Sequence, residues 1–312
     1  MLALGEVRTA LLQNSVSVPP DVAQQILQLR PGEQVRCSER PVNYAVSPDV
    51  PTGVKCRLAT RTGKRTWGTG TAVTHASVTG CRVLQGSTYT ELALGGAERP
   101  APWSHYLSRS GAVDVTGRAS WDDIRDGFLD EEPRDALNLG AISERTMDGV
   151  QCRPELDREP PFRARRTALR WTLEDLSQDV PWAHFTIASP TLRTLRLAVK
   201  ADTDKVLQLC EDLALHDWLL TTLLDLIERG QRKAGRPAEM VESLRPAVEH
   251  LLHLWLPGAH VDESLLSLWE GFERRPGFSR QWDVSVNRIR DQLAVTMAGL
   301  LSAASAGNVR RH

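Results

Sequence analysis

The sequence predicts an α+β protein: a strand-rich mixed domain with one early helix over residues 1–200, then a four-helix bundle over residues 201–305. Three observations predict it. Residues 34–94 alternate short apolar and β-branched runs with Pro, Gly, Ser and Thr, the pattern of strands joined by turns. From Asp202 onward the apolar residues recur at helical spacing instead. The chain of 312 residues suffices for two domains of about 100–200 residues, each able to bury a core without disulfides.

The stretch from Leu2 to Leu12 alternates as a strand does. Pro19-Pro20-Asp21 then opens a helix with Val22, Ile26 and Leu29 on one face, stopped by Pro31-Gly32. Val54 to Leu58, Thr66 to Val78 and Cys81 to Leu84 read as strands of a meander or small barrel-like sheet. Residues 121–166 start acid-rich at Trp121-Asp122-Asp123 and lack periodic large apolar residues, so they read as a loop or connector. Ala168 to Leu173, His184 to Ala188 and Leu192 to Val199 return to strand character and complete the sheet.

Asp202 or Asp204 caps the first helix of the bundle, which runs to Arg229-Gly230, and Pro237 opens a second to Leu256. Asp262 caps a third to about Arg274, and a fourth runs from about Trp282 to Leu301. Leu244, Val248, Leu251 and Trp255 make the apolar stripe of the second helix, and Trp282, Val286, Ile289, Leu293 and Leu300 that of the fourth.

Hydrophobic residues at 41% and charged residues at 25% are ordinary for globular domains and exclude wholesale disorder or a fibre. A formal net charge of -1 argues against duplex nucleic acid or an anionic membrane as the main partner. Cys37, Cys56, Cys81, Cys152 and Cys210 form an odd set without a C-x-x-C pair, unlike a disulfide framework or structural zinc site, and read as free thiols. The first residues lack the basic and apolar regions of a signal peptide. His216, Asp217 and Asp225 interrupt the most apolar stretch, Leu213 to Ile227. The expected location is the cytoplasm.

His216 and Asp217 are the candidate catalytic residues. Asp217 shares a line with Cys210 and Leu224 beside the seam Val206, Leu213, Leu220 and Ile227, so a carboxylate interrupts an apolar face and needs a partner. An adjacent His and Asp on a helix is also the arrangement of HD-type metal-dependent phosphohydrolases. Those enzymes add a His upstream, and the segment before His216 offers only His184, on an expected strand. The competing reading is a buried structural Asp.

His250 and His253, with Glu249 and His260 nearby, have the spacing of shared metal ligands. The helical wheel puts His253 toward solvent and His250 on the flank, so no metal site is expected there. Arg163, Arg165, Arg166 and Arg170, with Trp171 for stacking, are the candidate binding residues for phosphate or nucleic acid. Nearby acidic residues offer them partners as well. Gly63-Lys64 lacks the upstream glycine of a P-loop, Gly68-Thr69-Gly70 lacks a third glycine, and no G-x-S-x-G elbow occurs. No metal and no cofactor is expected. The 9 Trp, against 3 Tyr and 5 Phe, fall mostly where helices should pack, as Trp218, Trp255, Trp269 and Trp282 do.

The run from Leu209 to Leu223, with His250-Leu251-Leu252-His253-Leu254-Trp255-Leu256-Pro257-Gly258 and Arg275-Pro276-Gly277-Phe278-Ser279-Arg280-Gln281-Trp282, resembles a family of actinomycete, Streptomyces-type proteins. Leu4-Gly5-Glu6-Val7-Arg8-Thr9 and Val83-Leu84-Gln85-Gly86-Ser87 are similar to it too, so the likeness covers most of the chain. The resemblance implies no activity. It implies a component of a multi-protein system whose partners are other proteins, among them a P-loop-type or a methyltransferase-like one. The expected function is therefore a non-catalytic interaction or regulatory component, with a metal-dependent phosphohydrolase centred on His216 and Asp217, or an Arg-led nucleic-acid binder, as alternatives.

Overall fold

The computed structural model describes residues 2–94, 101–130, 135–174, 176, 180–232 and 237–309. The chain divides into two compact units, Met1–Leu215 with Gly258–Gly271, and His216–Pro257 with Phe272–His312.

The first unit holds β1 (Leu2–Leu11), α1 (Pro20–Ile26), β2 (Arg36–Ser38), β3 (Tyr44–Val46), β4 (Val50–Arg57), β5 (Thr66–Thr79) and β6 (Val83–Leu94). It continues with α2 (Trp103–Leu107), β7 (Ala112–Gly117), α3 (Trp121–Leu129), α4 (Leu139–Gln151), β8 (Thr167–Glu174), β9 (Trp182–Ile187) and β10 (Leu192–Ala198). α5 (Thr203–Gln231) starts in this unit and supplies the second from His216 onward. The strands form one 10-stranded sheet in the order β2-β3-β5-β7-β6-β1-β8-β10-β9, with β4 also on β5. The expected meander is only partly what forms, because β6–β7 and β8–β10 pair in parallel.

β5 organises the sheet because its 14 residues outreach every neighbour. Its start, Thr66–Gly70, pairs with β7 and its end, Val73–Thr79, with β6. β4 and then β3 follow one another along its other edge. Side chains alternate between the two faces of a strand. On one face α1 and α4 bury Ala10, Leu12, Ala76, Val78 and Leu84, and Leu2, Leu4, Ala72 and Leu92 pack with Ile124, Phe128 and Leu139 of α3 and α4. The other face carries Thr9, His75, Gln85 and Ser87, and meets the first half of α5.

The loop expected over residues 121–166 is corrected in part: α3 and α4 occupy 121–129 and 139–151, residues 131–134 lie outside the described residues, and residues 152–166 carry no helix or strand, as expected of a connector. Ser120 caps α3 by accepting from the Asp123 N–H, and Asn138 caps α4 by accepting from the Ala141 N–H at 2.6 Å. Asp122 and Asp123 are first-turn charges favoured by the helix dipole, not signs of a solvated linker. The large apolar residues are few, but they fall on buried faces: Ile124 and Phe128, then Leu139, Met147 and Val150.

The second unit contains the rest of α5, α6 (Pro237–His250), part of α7 (Leu266–Arg274) and α8 (Phe278–Val309). The expected second helix stops at His250 and gives way to a 3₁₀ turn, Leu252–Leu254. Its stripe is Leu244, Ala247 and Leu251, with Val248 turned outward at 47% exposure. α8 starts earlier than expected, at Phe278, where the Glu273 carboxylate accepts from the Ser279 N–H at 3.1 Å and the Phe278 ring is buried. The Trp255 and Trp282 rings stack at 4.2 Å.

Candidate functional site

A cavity of about 410 Å³ lies in the first unit between the β2–β3–β5–β6 part of the sheet, the start of α5 and the segment holding His260. Helical spacing puts Asp204, Gln208, Glu211 and Leu215 of α5 along one stripe facing it. His75 of β5 and Gln85 of β6 face it from the sheet, with Ser87 beside them. Tyr44 comes from β3, and Asp49 from the turn before β4.

His75 is the centre of the cluster. Its Nε2 lies 2.6 Å from Glu211 Oε1 and its Nδ1 3.1 Å from Asp49 Oδ1. Carboxylates only accept, so both ring nitrogens donate and the imidazole is protonated. Burial works against that charge, but the Glu211 charge and the hydrogen bonds to Asp49 and Glu211 outweigh it and raise the pKa to about 10. Glu211 is buried too, which alone would favour its neutral form. The His75 charge and the hydrogen bonds from His75, Ser87 and Tyr44 hold it below the usual carboxylate range. Asp49, half exposed, is lowered chiefly by its hydrogen bond from His75. Gln85 anchors the helix by donating to the Glu211 backbone carbonyl at 3.0 Å, and the Tyr89 hydroxyl donates to Asp204 at 2.9 Å.

The order of donors and acceptors decides what this cluster can do. A serine nucleophile needs a histidine lone pair facing its hydroxyl. Here the Ser87 hydroxyl donates to Glu211, and His75 has no lone pair left. The arrangement holds a fixed ion network, one imidazolium between two carboxylates, at the back of a cavity.

Asp212, one residue further on, is buried, and its Oδ2 accepts the Gly258 N–H at 2.8 Å. Gly258 has φ +77°, a conformation that side-chain-bearing residues rarely adopt, so glycine permits this close approach. Burial pushes the Asp212 carboxyl up from 3.8 to about 7, opposed by the Gly258 N–H and His260. The folded protein therefore holds this proton to higher pH than the unfolded chain does. Stability from this group falls as pH rises from about 4 through 7. Asp212→Asn keeps an acceptor for Gly258 and removes the titration. The variant is expected to gain about 2–3 kcal/mol on the wild type between pH 5 and pH 8. Urea unfolding of both proteins at the two pH values measures this, and a pH-independent difference would mean that Asp212 does not titrate there.

The residues expected from sequence lie elsewhere. His216 and Asp217 are buried on α5 in the second unit, where the His216 ring meets Trp255 edge-on at 4.9 Å. Arg170 is buried in an ion pair with Glu6 at 3.0 Å, whereas Trp171, the next residue on the strand, faces the opposite side with no exposed surface. These two do not form a stacking site. Arg166 pairs with Asp148 at 3.0 Å, and Arg163 and Arg165 are exposed. His250 is half-buried and His253 exposed. Two sequence features mark members of the cluster without showing that they meet. His75 is the one ionisable residue in Thr66–Thr79, and Glu211-Asp212 are the only acids between Val206 and Leu215.

Among the described residues no group of three or more His, Cys, Asp or Glu side chains is placed to hold a metal ion. No described helix is long and apolar enough to cross a membrane. Compared with known proteins, this chain matches no family model, no curated protein and no solved structure.

Proposed function

We propose that this chain is a non-catalytic, ligand-binding interaction component of a multi-protein actinomycete system, acting in the cytoplasm. The observation that carries the reading is the cavity with His75 clamped between Asp49 and Glu211. A cavity at the small end of the usual ligand range, about 300–1,000 Å³, lined by a few convergent polar groups, is a binding site in form. The clamp keeps His75 from serving as a base, since both its ring nitrogens face carboxylates. The four C-terminal helices are proposed as a bundle that docks partner proteins, a P-loop-type or methyltransferase-like one among them.

The test is affinity purification of the full chain at native expression, with the bound small molecules released by denaturation and identified. Leu207 is buried in the cavity wall, so Leu207→Trp should fill the space. The reading expects a partner protein and a small molecule with the wild type, and loss of the small molecule in the variant. Multiple-turnover hydrolysis of a phosphoester by the wild type, abolished by Asp217→Asn, would replace this reading with the phosphohydrolase one.

A further inference from the structure

We infer that the cavity takes a small organic cation, a primary amine or guanidinium on a compact apolar body, whose N–H groups meet the cavity carboxylates. The inference rests on the reading of the cavity as a binding site. Asp49, Asp204, Glu211 and Asp212 line it, against Arg36 and the protonated His75. His75 is already matched by Asp49 and Glu211, so an entering anion would face surplus negative charge and an entering cation would relieve it.

Two residues that line the same space carry buried polar atoms without a hydrogen-bond partner among the described residues. The Thr79 hydroxyl is 1% exposed and has no hydrogen-bond partner among the described residues, and neither has His260 Nε2. Buried polar groups are nearly always paired in native proteins, so unpaired ones on a cavity wall mark where a ligand completes the pairing. The body of the ligand has its own surface: Leu207, Leu215, Val46 and Pro48, beside the Tyr44 ring stacked on His260 at 4.5 Å. An aromatic face of this kind also attracts cations.

Cation binding has a proton signature. The titratable groups facing Asp212 are His260 and Glu211, the latter paired with His75. A cation placed against Asp212 favours its ionised form, so binding near neutral pH should release a proton, and affinity should rise from pH 6 to pH 8.

The test is calorimetric titration and thermal scanning of the full chain with tryptamine, agmatine and benzamidine. Indole-3-acetate and benzoate serve as matched anions and indole as the neutral body. At least one of the three cations is expected to raise the Tm and to bind tenfold or more tightly than every anion and the neutral body. Asp49→Asn should weaken that cation about tenfold, and Asp212→Asn should abolish the proton release seen as a buffer-dependent heat. Anions or indole bound as tightly as the cations would overturn the ligand class and leave the cavity reading standing. Cations bound equally well by Asp49→Asn and Leu207→Trp would place binding elsewhere and overturn the inference. If no probe of any charge binds at millimolar concentration, the inference falls. The cavity reading falls with it only if no small molecule co-purifies with the wild-type chain.

Discussion

Glu211→Ala is expected to destabilise the protein by about 3–5 kcal/mol at pH 7, lowering the Tm by roughly 10 °C. The side chain accepts hydrogen bonds from His75, Ser87 and Tyr44 within a buried cluster. Its removal leaves His75, 6% exposed, with Asp49 as its remaining charged partner and strands two hydroxyl groups. Breaking one half of a buried pair costs more than removing both. The double variant His75→Leu/Glu211→Leu should therefore lie closer to the wild type than Glu211→Ala does. The pH dependence has a definite sign. A His pKa raised from 6.5 to about 10 contributes stability that is fully present below 6.5 and lost as pH rises through 10. In Glu211→Ala the imidazole loses its main counter-charge, so the gap to the wild type should be widest just below pH 6.5, still large at pH 7, and narrow toward pH 10. Urea unfolding at pH 7 and pH 10 reads it directly. A gap that stays constant would show that His75 is neutral in the folded protein.

Trp171→Ala should cost a similar amount, about 3–5 kcal/mol, because the indole is fully buried on the α5-facing side of the sheet beside Leu195 and Leu197. Gly5 on β1 lies directly across from it, and a Cβ there would fall 2.2 Å from the ring. Gly5→Ala alone should cost about 1–3 kcal/mol through overpacking. Once the indole is gone the added methyl group has room. The double variant Gly5→Ala/Trp171→Ala is therefore expected to be no less stable than Trp171→Ala alone. Chemical denaturation of the four proteins closes the cycle. Additive costs would mean that the strand shifts instead of clashing, and would remove the steric account of Gly5.

Local pattern was enough for the elements whose periodicity is clean. β1, β5, β8 and β10 alternate over 7–14 residues, and α5 carries helical periodicity over 29, so neighbouring residues alone define them within a few positions. It was also enough for the Asp262 cap, where an acid before Ser264 accepts its N–H. It was insufficient for α3 and α4. Their buried faces use few large side chains, and their acidic starts are favourable only once a helix terminus exists beside them. Three-residue strands such as β2 and β3 carry too little pattern to register at all.

The candidate site depended wholly on tertiary structure. His75 and Glu211 are 136 residues apart in sequence and meet at 2.6 Å only because the first half of α5 lies on the sheet face that carries His75. On a helical wheel Glu211 is one acid in an apolar helix, and nothing in its neighbours tells whether it faces solvent or a buried imidazole. The same limit made His216 and Asp217 prominent in sequence. Adjacency along the chain is visible there, whereas the convergence of side chains from different elements, which binding chemistry requires, is created only by packing.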